Sequence, residues 1–431
     1  MLYSQKTQQR TASLLSRRGF LGMTSGIGAS CYLGGLSEAL ANTPQASAPS
    51  DLKITDVDWA YMRGHGVHLL VRIHTNQGVV GMGEGIDAVR GSSGLMEWFR
   101  DQMIGENPLN VDRVWEKLRR RGIFHGAQAG MFVAALSGVD LALWDTTGKA
   151  LGLPVYQLLG GKFRDKIRMY CDTGGARSER PEDLAQGARE KIDMGFTAVK
   201  FDLDNAADPD RWDTFNWTAS NSEIDHMVAK VAATREAIGT KYDLMCDCHG
   251  RYDLHSAMRI AKQLEPYRLH FLEEPVPAES VDAMAEITHS TSTPICAGEN
   301  LYLRYGFRDL LEQQAVDMIM PDIQKCGGLS EARKIANLAE TYYIPFSPHN
   351  VVSPLGTMAS CHVCASVPNF SVLEWHWAGR LEQWNALPTT DDATIRDGHI
   401  TLTDKPGIGI DLDLDVVRKY AVEGWPVFGK I

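Results

Sequence analysis

Asp247, Glu273 and Glu299 stand at equal intervals of 26 residues, each closing a short apolar run. That interval is the length of one strand–helix unit. The three carboxylates are therefore expected at the C-terminal ends of three successive parallel strands, converging on one barrel mouth. Bare carboxylates held close together repel and raise one another's pKa. A hard divalent cation removes that conflict, and Mg2+ suits an all-oxygen set that leaves positions for water and substrate. One such acid alone reads as a strand-end cap or a surface charge, whereas three in register read as a metal centre.

Histidines accompany these acids. In Asp247-Cys248-His249, residues i and i+2 of a strand share a face, so His249 is expected to look into the same cavity as Asp247. Ser347-Pro348-His349-Asn350 places His349 at the end of a seventh strand, and Asp322 ends the sixth in Pro321-Asp322-Ile323-Gln324-Lys325. A carboxylate beside His349 would fix its tautomer and raise its basicity, as a general base requires. Glu374 ends an eighth strand, and Lys200 ends the second with Asp202 two residues on. A lone strand histidine is ordinarily a packed core residue; His249 and His349 differ by their company.

The elements that must position these residues are legible from about Lys166. Apolar runs at Ile167–Cys171, Ala198–Leu203, Leu244–His249, Leu269–Glu273, Ile295–Glu299, Met318–Asp322, Ile344–Pro348 and Val372–Trp375 alternate with amphipathic stretches such as Leu254–Leu264 and Leu329–Tyr342. Eight such alternations predict an α/β fold, a (β/α)8-type barrel. A doubly wound open sheet is disfavoured, because no Gly-rich phosphate loop follows the first strand. Upstream, Val67–Ile73 and Val79–Gly83 flank Asn76-Gln77-Gly78 as an antiparallel hairpin. Phe132–Asp145 predicts a buried helix closed by Gly148 and the Leu153-Pro154 break. The strand-like stretch His399–Thr403 is expected to return to the N-terminal region.

The bulk numbers agree with a soluble enzyme. The chain has 431 residues, 44% hydrophobic and 23% charged, with a net charge of −11. It has no dense Lys/Arg stripe, so a nucleic-acid partner is not expected. No stretch after the N-terminal region is long and apolar enough to insert in a membrane. Ser16-Arg17-Arg18-Gly19-Phe20-Leu21, followed by a Gly-rich apolar stretch and Ala39-Leu40-Ala41, resembles a twin-arginine export signal with a cleavage site. Residues 1–41 are thus expected to be a signal, 42–50 a Pro/Ala/Ser linker, and the location periplasmic. Cys31 offers a weaker alternative as a lipid-attachment site. Cleavage after Ala41 leaves seven of eight cysteines, an odd number that argues against a disulfide framework. Cys361 and Cys364 read as helix packing, since no second pair completes a zinc site.

Taken together, the motifs resemble the enolase superfamily and, within it, the mandelate racemase-like group. The matching pieces are Leu141-Ala142-Leu143-Trp144-Asp145, Gly148–Pro154, Glu273-Glu274-Pro275, Gly298-Glu299-Asn300, Pro321–Gly328 and Ser347-Pro348-His349, and the likeness covers residues 51–431. The resemblance implies an α+β capping domain (51–165) over the barrel (166–378), with a C-terminal tail (379–431) packing on the cap. It puts Asp247, Glu273 and Glu299 on the metal positions, Asp322 and His349 on the acid/base dyad, and Glu374 on the strand-eight acid. Racemases of the group often carry Lys-x-Lys on the second strand. Here that motif reads Lys200-Phe201-Asp202, which disfavours two-base racemization, while Asp247-x-His249 is similar to the sugar-acid dehydratases.

The resemblance thus implies a small-molecule acid sugar as substrate and Mg2+ as cofactor. His349 is the expected base and His249 the acid for the departing β-hydroxyl. Lys200 is expected to offset substrate charge, and a protonated Glu374 to hydrogen-bond the substrate carboxylate. Trp375, with His376 and Trp377, either walls the pocket or packs against the cap. Substrate choice is expected in loops around Tyr61–His68 and Gly83–Gly94, and barrels of this kind commonly form homo-oligomers. Epimerization or cycloisomerization at the same site, and non-catalytic binding of a sugar acid, are the alternatives.

Overall fold

The computed structural model describes residues 51–87, 91–173, 180–204 and 215–429. The paired arginines, the cleavage site and the linker lie outside these residues. Strands β1 (Ile54–Gly64), β2 (Gly66–Thr75) and β3 (Val80–Ile86) form an antiparallel sheet in that order. The β2–β3 turn falls at the predicted Asn76–Gly78. Three helices cover one face: α1 (Ser92–Met103), α2 (Val111–Arg121) and α3 (Gly130–Leu151). Sheet and helices share a core built around Trp59, Phe99, Trp115 and Leu136. Strand β3 lies directly on α3. At Gly83 a Cβ would stand 2.2 Å from the Gly138 carbonyl oxygen, so only glycine permits that approach.

The predicted buried helix is present, but it does not end at Gly148. It runs on to Leu151 and stops at Gly152, whose φ of 68° is the left-handed C-terminal conformation. Gly148 instead gives passage to the tail: a Cβ there would meet the Gly407 Cα at 2.6 Å. Three residues earlier, the buried Asp145 accepts hydrogen bonds from Met82 N and Ile408 N, each at 2.8 Å. One carboxylate thus joins α3, β3 and the tail.

The second layer system is a ring of parallel strands: β4 (Lys166–Asp172), β5 (Ala198–Asp202), β6 (Asp243–Asp247), β7 (Phe271–Glu273), β8 (Ile295–Ala297), β9 (Met318–Ile319) and β10 (Leu373–Trp375). They are hydrogen-bonded in the order β10-β4-β5-β6-β7-β8-β9. The expected seventh strand, Ile344–Pro348, is reduced to Phe346, which bridges Ile319 on one side and Phe370 on the other. The ring still closes, because Ser347 N bonds Ile319 O at 2.8 Å and Glu374 N bonds Pro348 O at 3.3 Å. Helices α4 (Pro181–Asp193), α5 (Asn221–Ile238), α6 (Leu254–Leu264), α7 (Val281–Ser290), α8 (Leu303–Glu312), α9 (Gly328–Glu340) and α10 (Pro354–Ser366) surround it. Ser220, Asp253 and Ser280 cap α5, α6 and α7 through their side chains, which satisfies amide groups that have no partner within the helix.

Period-two alternation sorts the barrel strands. Tyr170, Ala198, Met245, Phe271, Cys296, Met318 and Val372 point inward and fill the ring with an apolar plug. Their i+1 neighbours, such as Val199, Cys246, Leu272, Ala297, Ile319 and Leu373, face the helices. The i+2 positions return inward one layer higher, and there Asp172, Lys200, Asp247, Glu273 and Glu374 stand, with the apolar Met320 beside them. The tail divides its contacts. Strand β11 (His399–Thr401) pairs antiparallel with β4, so that stretch joins the barrel and not the N-terminal sheet as expected. Further along the tail does reach that sheet, where Arg63 N bonds Tyr420 O at 2.8 Å and Val422 N bonds Tyr61 O at 2.9 Å. Among the described residues all seven cysteines are free and buried, Cys361 and Cys364 within α10, as the packing reading requires.

Candidate active site

A cavity of about 340 Å3 opens beyond the apolar plug, at the C-terminal ends of the strands. Asp247 and Glu273 sit side by side, because β6 and β7 pair Asp247 with Glu273 in register. Lys200 rises beside them from β5. Its Nζ lies 2.8 Å from Glu273 Oε2, 2.9 Å from Glu374 Oε1 and 3.3 Å from Asp247 Oδ2. Burial works against the Lys200 charge, but Glu273 and Glu374 outweigh it and hold its pKa well above the ordinary value. Lys200 thus pairs with three acids of the protein. Its Nζ is engaged by these acids, and the residue, 2% exposed, also lines the cavity.

Glu374 lines the same cavity. Burial pushes its pKa up, but Lys200 and His349 pull it down to about 2. Both neighbours favour its charged form. Trp375 is either pocket wall or packing on the sequence alone. It is the outward neighbour of Glu374, stacked on Phe196 at 5.5 Å and edge-on to Trp384 at 5.6 Å. It belongs to the layer between barrel and helices, while His376, one residue on, returns to line the cavity. The ring contacts of Trp375 are with Phe196, just ahead of β5, and Trp384 of the tail, and, among the described residues, not with the cap.

Glu299 lies beyond its strand, because β8 ends at Ala297 and Gly298 turns the chain at φ 141°. Its carboxylate reaches His349, with Nε2 to Oε2 at 2.9 Å. Burial raises the Glu299 pKa, but the His349 charge wins and holds it well below the usual carboxylate range. His349 Nδ1 bonds Asp322 Oδ2 at 2.7 Å, the dyad read from the sequence. Burial alone would strip the imidazole of its proton; Glu299, Glu374 and Asp322 together raise its pKa well above the ordinary value.

His249 also lies past its strand, at a left-handed φ of 44°, so the argument from strand alternation does not place it. A turn does so instead: His249 N bonds Asp247 Oδ1 at 2.8 Å, and its Nε2 stands 3.5 Å from Asp247 Oδ2. Its Nδ1 is held by Asp204 Oδ1 at 2.7 Å. Burial lowers the His249 pKa, but Asp204 and Asp247 raise it further, to about 10. Asp204 was missed in the sequence, although Asp202-Leu203-Asp204 continues the alternation past the strand end. Asp172, inward at the end of β4, was missed for the same reason. From the cap, the β1–β2 hairpin contributes His65, and the end of β3 contributes Ile86 and Asp87. Asp87 meets Lys325 at 3.0 Å.

The residues fit a divalent cation. Glu273 is fully buried and its Oε1 has no hydrogen-bond partner. Burial raises the Glu273 pKa well above its ordinary value, and the neighbouring Asp247 and Glu299 raise it further. Lys200 alone does not offset this set of acids. Among the described residues, the groups whose ligand-type atoms all lie within 4.8 Å of one another are Asp202, Asp247, His249 and Asp172, Glu374, His376. The three acids of the sequence ladder are not such a group, because Glu273 turns onto Lys200 and Glu299 onto His349.

Comparison with known proteins accords with this geometry. Residues 36–160 match the mandelate racemase/muconate lactonizing enzyme N-terminal domain, and residues 183–416 match the enolase C-terminal domain-like family. The chain belongs to the enolase superfamily, in its mandelate racemase/muconate lactonizing enzyme branch. It is 43% identical to a D-xylonate dehydratase of Haloferax volcanii over 91% of this chain and 94% of that protein. A D-galactonate dehydratase of Pectobacterium atrosepticum is 34% identical over 81% of this chain and 90% of its own length. The crystal structure of a mandelate racemase/muconate lactonizing enzyme-like protein from Rubrobacter xylanophilus superposes with a TM-score of 0.83 at 45% identity, covering 88% of this chain and all of that one.

Proposed function

We propose that the protein is an Mg2+-dependent dehydratase of an aldonate, converting it to a 2-keto-3-deoxy acid. The observation that carries this reading is the presence of two imidazoles with different surroundings on one cavity. His349 is backed by Asp322, and His249 is backed by Asp204 and Asp247. The relatives named for D-xylonate and D-galactonate dehydration support the same substrate class.

Asp247, Glu273 and Glu299 would hold the metal, which supplies charge neutralisation for the substrate carboxylate while its α-proton leaves. His349 Nε2 is the atom that takes that proton. Glu299 and Glu374 hold a proton on this ring, so Glu299 must release Nε2 and the ring must lose that proton before it can act as a base. Asp322 keeps Nδ1 protonated and the ring in place. His249 retains its proton at neutral pH and delivers it to the β-hydroxyl, which departs as water. The resulting enol tautomerises to the keto acid. Lys200 holds Glu273, Glu374 and Asp247 in position beneath the reacting carbons.

The test is turnover of a panel of aldonates by the purified protein with Mg2+ in D2O, following 2-keto-3-deoxy product and deuterium at the α-carbon. His349→Asn is expected to lose both product and exchange. His249→Asn is expected to lose product, while exchange persists if the base proton trades with solvent. Normal turnover in both variants would refute the assignment of the two histidines. An epimerized acid without keto product would favour the epimerase alternative.

A further inference from the structure

The two oxygens of Glu299 have different partners. Oε2 meets His349 Nε2 at 2.9 Å. Oε1 accepts from the side-chain amide of Asn300 at 3.0 Å. Proton transfer at His349 involves only the first contact, and Asn300 takes no part in it. The same Asn300 Nδ2 also donates to Glu274 Oε2 at 2.8 Å, and Asn300 Oδ1 accepts from Lys325 Nζ at 3.2 Å. Two carboxylates on one side and an ammonium on the other fix the amide's orientation. Its nitrogen can only donate and must face the acids, while its oxygen can only accept and must face the lysine.

The partners of Asn300 are themselves fixed. Glu274 is 1% exposed and follows Glu273 at the end of β7. Lys325 lies in the segment after β9, which is tied on both sides. Leu303 N bonds Cys326 O at 2.8 Å, joining it to the segment that carries Asn300. Ile86 N bonds Gln324 O at 3.3 Å, joining it to the end of β3 in the cap, where Asp87 pairs with Lys325 at 3.0 Å. Asn300 is an exposed residue on the cavity wall, so these bonds, and not burial, hold its side chain.

A carboxylate engaged through both oxygens can serve a cation only by giving up one partner. The bond to His349 is the one that must break for the base to act. The bond to Asn300 can persist, because it occupies the other oxygen. We infer that Asn300 is a positioning residue that pins Glu299 Oε1, so that the carboxylate turns about that oxygen and Oε2 exchanges His349 for the cation. Arrival of the metal and release of the base then become one movement. Lys325 sets the amide, and Asp87 connects that setting to the cap. This rests on Glu299 as a metal ligand, part of the dehydratase reading, and adds what holds that ligand.

The test is calorimetric Mg2+ binding to the purified protein without substrate, so turnover is not needed. Asn300→Ala is expected to weaken Mg2+ binding about tenfold, the lower end for removing a group that orients a metal ligand. That loss should be smaller in a Lys325→Met background, because an amide without its Lys325 bond is already unfixed. The direct charge effect of Lys325 is present in both members of that pair and cancels from the ratio. Mg2+ affinity within twofold of wild type in Asn300→Ala would overturn the hold on Glu299. An equal loss in both backgrounds would overturn the part given to Lys325. Should Asn300→Ala fail to fold, as judged by thermal melting, Asn300→Leu, which keeps the branched shape without either polar atom, decides the question by the same ratios. A wild-type protein that binds no Mg2+ would instead refute the metal assignment on which the hold rests.

Discussion

Glu84 is the buried carboxylate whose removal tests the joint between cap and barrel most directly. It stands on β3 and is fully buried. Its oxygens accept from Ser353 N at 2.9 Å, Gly356 N at 2.9 Å, the Ser353 hydroxyl, and His68 Nδ1 at 2.7 Å. A residue of the cap thus closes the first turn of α10, the helix that follows His349. Glu84→Ala leaves two amides, a hydroxyl and an imidazole without that acceptor. At about 1–3 kcal/mol for each buried group left unpaired, with water entering to satisfy some of them, the loss should be about 4 kcal/mol. For a chain of this length the unfolding entropy is roughly 0.8 kcal/mol per degree. Thermal melting of the metal-loaded protein should therefore fall by about 5 °C. Glu84→Gln, which keeps one acceptor oxygen, should fall by less. An alanine variant that melts within about 1 °C of wild type would show that the cap is held by its apolar contacts and that this hydrogen-bonded joint is energetically idle.

Chelation should abolish turnover and added Mg2+ restore it, and Glu273→Gln should lose both calorimetric Mg2+ binding and activity; full activity in metal-stripped protein would refute the metal assignment. Gly148→Ala places a Cβ 2.6 Å from the Gly407 Cα and 2.7 Å from the Leu153 carbonyl oxygen, so it should destabilise by about 1–3 kcal/mol. A denaturation midpoint equal to wild type would contradict the crossing drawn here. Changing Arg17 and Arg18 together to Lys should keep the protein in the cytoplasm, because the paired guanidinium groups are read by a receptor. Recovery of that variant in the periplasmic fraction would refute the export reading.

The carboxylate ladder and the dyad were legible because barrel strands impose a fixed repeat and a fixed alternation. Asp247, Glu273 and Glu374 stand within their strands and follow from those two rules alone, whereas Asp322 lies three residues past the end of β9. The rules fail where the chain leaves the strand. Gly298 carries Glu299 into a loop, and the left-handed turn at His249 brings that ring back over Asp247. The reduction of the seventh strand to Phe346 was not readable, since an apolar run looks the same with one bridge or five. Trp375 was ambiguous because its strand is amphipathic only in context: the inward face is named by Glu374, and the outward face needs Phe196 and Trp384 to define it. Contacts such as Glu84 with Ser353 span 269 positions of chain, and no local pattern announces them. Asp204 was within reach, one alternation beyond the expected strand end.

The seven sequestered thiols give the fold a built-in clock. Burial holds the sulfurs of Cys171, Cys246, Cys248, Cys296, Cys326, Cys361 and Cys364 above their ordinary pKa. A thiol-specific reagent therefore meets neither access nor thiolate in the closed protein. Labelling must wait for local or global opening, and its rate measures how often each part opens. Cys171, Cys246 and Cys296 report the strands of the ring, while Cys361 and Cys364 report α10, the helix fastened by Glu84. Mass-resolved labelling of the native protein would therefore rank these regions by opening frequency without any engineered probe. The ring strands should label together and late, and α10 should label with them only as long as its fastening to the cap holds.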